Sequence, residues 1–229
     1  MSSFVLCYIT DRCQLKSVPL AVVIRETLRA GVDILQIREK DLPTRELMTL
    51  VEEAVSAARE CPSVAPASRP LSREHSFAPL RTGSACARVL VNDRLDVALA
   101  AGAGGVHLGG HSMPVSTVRQ VAPRPIVIGV SCHSLGEAIA AESAGADYLL
   151  LGPVFETPSK LKYGPPLGLD ELRKVNAQVR IPVLALGGIT VERVRPCLEA
   201  GAAGIAGIRI FQDCESIEAL VRELRAQGE

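Results

Sequence analysis

An eight-stranded α/β barrel is the fold this sequence predicts, on three observations. Short aliphatic runs recur at intervals of roughly 20 to 30 residues, and nearly every one is followed by a stretch of helical periodicity, so the chain reads as βα repeated. There are eight such runs, and they are continuous rather than alternating in hydrophobicity, as expected of parallel strands buried on both faces. The turns that lead into strands also echo one another. Ala30-Gly31-Val32-Asp33, Ala144-Gly145-Ala146-Asp147 and Ala200-Gly201-Ala202-Ala203-Gly204 are near copies of one phrase, which favours a repeated unit. Together these features predict a TIM barrel filling one domain over residues 1–229. The competing open, doubly wound sheet usually has a glycine-rich phosphate turn after its first strand. Here that strand ends Tyr8-Ile9-Thr10-Asp11-Arg12, without a glycine.

In chain order, strands are expected at Val5 to Thr10, Asp33 to Arg38, Arg88 to Asn92, Gly105 to Leu108, Ile126 to Ser131, Tyr148 to Gly152, Val183 to Gly187 and Gly204 to Ile208. The helices between and after them are expected at Pro19 to Ala30, Thr44 to Arg59, Leu95 to Ala101, Val115 to Val121, Ser134 to Ala144, Leu169 to Val175, Val191 to Ala200 and Ser216 to Ala226. Gly31, Gly102, Gly145 and Gly201 each follow an apolar helical stretch, where a residue of positive φ ends a helix. Ser134 precedes Leu135-Gly136-Glu137, so the serine caps the first turn and Glu137 answers it as a capping box. One segment breaks the rhythm. Cys61 to Ala87 holds four prolines and several serines and has neither period, so it reads as a long loop. It joins a helix to a strand and starts from the barrel's stability face, which ranks an insertion without function ahead of a lid.

Composition narrows the function classes. The 229 residues carry 25 basic and 25 acidic side chains, and this zero balance argues against a polyanion-binding surface. Three Tyr, four Phe and no Trp leave little for base stacking. No window approaches the roughly 18 uninterrupted apolar residues of a membrane span. Met1 to Asp11 turns polar too soon for a secretory leader, so a cytoplasmic location is the default expectation. The seven cysteines are scattered without a C-x-x-C, which suggests neither a zinc knuckle nor a disulfide framework. Cys7, Cys132 and Cys197 lie in apolar segments and read as small core hydrophobes. The sequence leaves a homo-oligomer open.

Chemistry in this fold collects at the C-terminal ends of the strands. Those positions read Gln36-Ile37-Arg38-Glu39-Lys40-Asp41, Asn92-Asp93-Arg94, His107-Leu108-Gly109-Gly110-His111-Ser112, Ser131-Cys132-His133, Gly152 to Lys160, Gly187-Gly188 and Gly207-Ile208-Arg209. Arg38, Lys40, Lys160 and Arg209 would face one mouth in a protein of zero net charge, and gathered cations call for an anion. Thr157 and Ser159, backed by Lys160, can donate to phosphate oxygens, while Gly187-Gly188 lets backbone N–H groups come close. Asp93 adds a carboxylate suited to Mg²⁺ bridging a pyrophosphate. Taken singly, an Arg or Lys is most often a solvated surface charge. His107, between Val106 and Leu108, reads as a core histidine, and His75 as an exposed one.

Those strand ends, together with Tyr8-Ile9-Thr10-Asp11, Gly105 to Gly109, Gly129 to His133, Ala146-Asp147-Tyr148 and Ala185 to Ile189, resemble the thiamine-phosphate synthase family and its relatives, the TenI-type thiazole tautomerases. The likeness spans nearly the whole chain. It implies a transferase, a thiamine-phosphate diphosphorylase, joining hydroxymethylpyrimidine pyrophosphate to thiazole phosphate with Mg²⁺ as cofactor. By that likeness Gln36 and Asn92 hold the pyrimidine and its pyrophosphate, Arg38 and Lys40 face the pyrophosphate, and Ser131 and Lys160 grip the leaving group. Thr157, Ser159, Gly188 and the backbone at Ile208 and Arg209 take the thiazole phosphate, and Asp93 ligates Mg²⁺. Lys160, Ser131 and Lys40 are the residues expected to act on the departing group.

One departure stands out. Where the synthase motif usually reads Gly-Gln-x-Asp, this chain has Gly109-Gly110-His111-Ser112, so a serine replaces the second expected Mg²⁺ carboxylate. A hydroxyl is the poorer ligand for a hard cation. Two alternatives follow from it: a TenI-type tautomerase, with His133 as its acid–base group, and a catalytically silent barrel that binds thiamine precursors or a partner protein.

Overall fold

A computed structural model of the chain describes residues 4–16, 18–61, 87–123, 125–157 and 165–228. Eight parallel strands close into a barrel in sequence order: β1 (Val5–Ile9), β2 (Ile34–Ile37), β3 (Arg88–Asn92), β4 (Gly105–Leu108), β5 (Val127–Cys132), β6 (Tyr148–Leu151), β7 (Val183–Leu186) and β8 (Gly204–Gly207). β8 pairs back onto β1, with Val5 opposite Gly204. Around them run α1 (Leu20–Ala30), α2 (Thr44–Glu60), α3 (Leu95–Ala100), α4 (Val115–Val121), α5 (Leu135–Ser143), α6 (Gly168–Gln178), α7 (Val191–Glu199), α8 (Arg209–Gln212) and α9 (Ile217–Ala226). This is the expected TIM barrel, with each expected element within a few residues of its bounds. A 3-10 turn at Arg12–Gln14 and the short α8 were not foreseen, because neither is long enough to carry a hydrophobic period. Residues 62–86 of the proline-rich segment, with His75, lie outside the described residues. No helix among the described residues is long and apolar enough to cross a membrane.

The strands separate two apolar layers. Val5, Cys7, Ile9, Ile34, Leu90, Val127, Tyr148 and Leu184 meet inside the barrel, while Leu6, Leu35, Val91, Val106, Ile128 and Leu149 face the helices. Double burial is the reason the strand sequences do not alternate with polar residues. Each helix supplies only a stripe: α1 buries Val23, Ile24, Thr27 and Leu28, and α9 buries Ile217, Leu220, Val221 and Leu224. Cys7, Cys132 and Cys197 are buried free thiols in these layers, as expected. Burial pushes Cys132 up to about 12 and Cys197 to about 11, so both remain uncharged.

The helix ends follow the sequence closely. Gly31, Gly102, Gly145 and Gly201 have φ of 90, 69, 95 and 91° at the turns where positive φ was expected. Ser134 caps α5, its hydroxyl accepting from the Glu137 N–H at 3.2 Å. The capping box differs from expectation, since the Glu137 carboxylate accepts from the His133 N–H at 2.7 Å, one residue before the cap. The chain turns sharply off β5 there, which brings the earlier amide within reach.

The sequence echo has a structural counterpart on the stability face. Asp33, just before β2, accepts from the Leu6 N–H of β1 at 2.7 Å and pairs with Arg225 of α9 at 2.8 Å; Arg225 also donates to the Gly31 carbonyl at 2.9 Å. Asp147, just before β6, accepts from the Ile128 N–H of β5 at 2.7 Å and pairs with Arg119 of α4 at 2.6 Å; Arg119 also donates to the Gly145 carbonyl at 2.8 Å. The two clamps are the same device half a barrel apart. Each is partly solvent-exposed, and removing the guanidinium strands a carboxylate and a carbonyl. We expect Arg225→Ala and Arg119→Ala each to cost about 2 kcal/mol in urea unfolding, with activity at low denaturant unchanged.

Candidate active site

The polar strand ends of β2 to β5 form the floor of the barrel mouth. Gln36 on β2 is buried, and its Nε2 donates to Asn92 Oδ1 at 3.2 Å. Asn92, the last residue of β3, donates through Nδ2 to Asp93 Oδ2 at 2.6 Å. Gln36 Oε1 is buried and has no hydrogen-bond partner among the described residues. A buried acceptor left open costs stability unless something bound there donates to it.

Asp93 holds a φ of 61°, the only positive value recorded for a residue other than glycine among the described residues. Asp is among the side chains that tolerate this region, at some cost in strain. Its N–H donates to the His107 carbonyl at 2.9 Å, which pins the turn and leaves the carboxylate exposed. Ser112, in the loop after β4, donates its hydroxyl to Asp93 Oδ1 and accepts from the Gly109 N–H at 2.6 Å. The serine thus occupies the place of the missing carboxylate and braces the remaining one. Among the described residues no three His, Cys, Asp or Glu side chains cluster as a metal site.

Beneath this floor a polar chain runs into the barrel. Ser131 Oγ of β5 lies 2.8 Å from His107 Nε2, and His107 Nδ1 lies 3.0 Å from the Tyr148 hydroxyl. The strand register explains it: Asn92 pairs with His107, His107 with Gly129, and Gly129 with Tyr148, so four inward positions form one row. Burial lowers His107 from 6.5 to about 3, against a smaller opposing pull from Asp93 and with a further push from Arg38. His107 is therefore the neutral core histidine expected from its sequence, and it orients Ser131. Because the unfolded chain binds this proton and the fold does not, the stability contribution is whole above about pH 6.5 and declines as pH falls toward 3. We expect melting temperature to fall below pH 6, and this acid slope to flatten in His107→Gln.

His133, after β5, is exposed, and its Nδ1 contacts the Gly152 carbonyl. A carbonyl only accepts, so Nδ1 is the donor in this contact.

Arg38 follows β2 and is half-buried, its N–H donating to Thr10 Oγ1 at 2.9 Å; Lys40, two residues on, is exposed. Between them Glu39 is buried, its two carboxylate oxygens accepting from the Arg12 N–H at 3.0 and 3.2 Å, and burial raises its carboxyl above the usual range. The Arg12 guanidinium continues to Asp41 at 2.6 Å. This bracket ties the end of β1 to the segment carrying both cations. Sequence reasoning did not assign it, although Thr10-Asp11-Arg12 and Glu39 stand in the quoted motifs.

On the opposite rim, Gly187 and Gly188 have φ of 95 and 64°. A Cβ on Gly188 would lie 2.5 Å from the Glu156 carbonyl oxygen and 2.8 Å from Phe155 Cβ, so the loop after β6 packs directly on this turn. Val154 and Phe155 donate to the Leu186 and Gly187 carbonyls at 2.8 and 3.1 Å. Thr157 is half-buried at the end of this loop, while Ser159 and Lys160 lie outside the described residues. Ile208 caps α8. The exposed Arg209 side chain turns along α8 to Asp213 at 3.3 Å. Of the four cations expected at the mouth, Arg38, Lys40 and Arg209 are among the described residues.

A family model described as thiamine monophosphate synthase matches residues 80–211. The thiamine-phosphate synthase of Chlorobium luteolum is 38% identical over 222 residues, covering 97% of this chain and 92% of its own. That of Methanospirillum hungatei is 40% identical over 186 residues, covering 81% and 79%. Among solved structures, thiamine phosphate pyrophosphorylase from Pyrococcus furiosus superposes with a TM-score of 0.79 at 36% identity, covering 98% of this chain and 95% of its own. With its closed barrel and its strand-end residues, this chain belongs to the thiamine monophosphate synthase family.

Proposed function

We propose that the chain is a thiamine-phosphate synthase, a cytoplasmic transferase that joins hydroxymethylpyrimidine pyrophosphate to thiazole phosphate and releases pyrophosphate. The observation that carries this reading is the open, buried Gln36 Oε1 beside the Asn92–Asp93 pair. An acceptor with no partner suits the amino group of the pyrimidine, and the adjoining Asp93 carboxylate suits a cation on the pyrophosphate the pyrimidine carries.

In the reaction the bond between the pyrimidine methylene and the pyrophosphate oxygen breaks, and its electron pair leaves with pyrophosphate. The thiazole nitrogen then donates its lone pair to the methylene cation. No proton transfer is required, so the protein's work is to neutralise the departing oxygens and hold the nucleophile in line. Arg38 and Lys40 supply positive charge beside the pyrophosphate, with Ser131, fixed by His107, donating to it. From the family motif, Lys160 is assigned to the pyrophosphate and Ser159 to the thiazole phosphate. Thr157, Gly188 and the backbone at Ile208 and Arg209 hold the thiazole phosphate. The loops after β7 and β8 and a short following helix are a common phosphate site in this fold.

The residues present fit Mg²⁺. This ion commonly uses one or two carboxylates and completes its shell with water and substrate phosphate, so Asp93 with the Ser112 hydroxyl beside it suffices. When bound, it would neutralise pyrophosphate charge. Incubating the chain with both phosphorylated precursors and Mg²⁺ should yield thiamine phosphate and pyrophosphate in equal amounts. Neither product forming would remove the assignment.

A second reading, the thiazole tautomerase, draws on His133, exposed after β5 with its Nδ1 fixed on the Gly152 carbonyl. It predicts exchange of deuterium into a thiazole carboxylate phosphate, lost in His133→Gln; absence of exchange disposes of it.

A further inference from the structure

Arg193 has no role in the reaction as described above, yet it touches both segments that frame the phosphate rim. It sits in the first turn of α7, and its Nη1 donates to the Gly188 carbonyl at 2.6 Å. Its guanidinium carbon lies over the Phe155 ring, 4.7 Å from the centroid. Phe155 belongs to the loop after β6 that leads into Thr157, and its own N–H donates to the Gly187 carbonyl. One side chain therefore bridges the Gly187-Gly188 turn and the neighbouring loop from beneath. The turn cannot brace itself there, because Gly188 has no side chain and no space for one.

The orientation of the turn's peptide follows from this contact. In a trans peptide the carbonyl and the next N–H point in opposite directions, and the only cis bond recorded among the described residues is Gly152-Pro153. Holding the Gly188 carbonyl toward Arg193 turns the Ile189 N–H to the other side. Resting on the synthase reading, we propose that Arg193 is a positioning residue for the thiazole phosphate: it presents the peptide N–H of the β7 turn to that phosphate and, by stacking on Phe155, fixes the segment that delivers Thr157. It is set apart from the pyrophosphate end, where the Gln36–Asn92–Asp93 chain and the Arg12–Glu39 bracket do the holding.

The test is a split between the two substrates. Arg193→Met keeps the length of the side chain and removes its hydrogen bonds and charge. We expect it to raise KM for thiazole phosphate about tenfold, the scale of losing one charged hydrogen bond, while KM for the pyrimidine pyrophosphate stays within about twofold. Arg193→Lys should recover part of the loss, and Phe155→Leu, which removes only the stacking partner, should raise the same KM about threefold. The Phe155 and Lys variants decide the matter if Arg193→Met does not fold. Equal movement of both KM values, or of neither, in an enzyme whose wild type makes thiamine phosphate would overturn the role of Arg193. A wild type that makes no product would instead count against the synthase reading.

Discussion

Asp93→Asn lowers turnover about a thousandfold at saturating Mg²⁺, the largest loss expected from any single change at the mouth. Asparagine tolerates the left-handed backbone that Asp93 occupies at φ 61°, so the turn survives the substitution. It also keeps one oxygen for the Ser112 hydroxyl. What it removes is the only carboxylate that the Asn92 amide and Ser112 hold at the floor. In a site with a second carboxylate the loss would be shared; here serine stands in that place, and among the described residues no cluster of three His, Cys, Asp or Glu forms. Steady-state kinetics with unfolding midpoints measured alongside check it. A variant that folds normally and keeps a tenth or more of wild-type turnover would show that Asp93 carries no essential charge.

The second large effect concerns stability. A Cβ on Gly129 would stand 2.2 Å from Tyr148 Cζ and 2.3 Å from Cε1, inside a fully buried ring. The ring cannot retreat, because it fills the barrel interior beside Cys7 and Leu150 and its hydroxyl meets His107. Gly129→Ala is therefore an overpacking change in a closed space, and we expect it to cost about 3 kcal/mol by urea denaturation. Adding Tyr148→Val should restore much of that loss, since the residues are in contact and their effects do not add. Equal stability of wild type and Gly129→Ala would mean that the row from Asn92 to Tyr148 is looser than its register implies.

The barrel was legible because its physics is local. Double burial writes continuous aliphatic strands, and glycines at the αβ turns write the helix ends, so Gly31, Gly102, Gly145 and Gly201 could be placed without coordinates. The strand ends were legible for a related reason: parallel strands bring every C-terminal end to one rim, whatever the loops do. What could not be read were contacts between residues far apart in sequence. Nothing local pairs Arg225 with Asp33 or Arg12 with Glu39 and Asp41. Ser112 was visible as a missing carboxylate, whereas its bond to Asp93 is a matter of three-dimensional placement. Likewise, nothing local places Arg193 over the Phe155 ring.

We propose that one carboxylate braced by a serine suffices for Mg²⁺-dependent synthase chemistry. The most direct measurement is thiamine phosphate formation from both precursors across a Mg²⁺ titration, for the wild type and for Ser112→Asp side by side. We expect a wild type that turns over with Mg²⁺ and stops without it, and a Ser112→Asp variant that reaches half-maximal rate at lower Mg²⁺ with a similar ceiling. A wild type inactive at every Mg²⁺ concentration, with activity appearing only in Ser112→Asp, would contradict it.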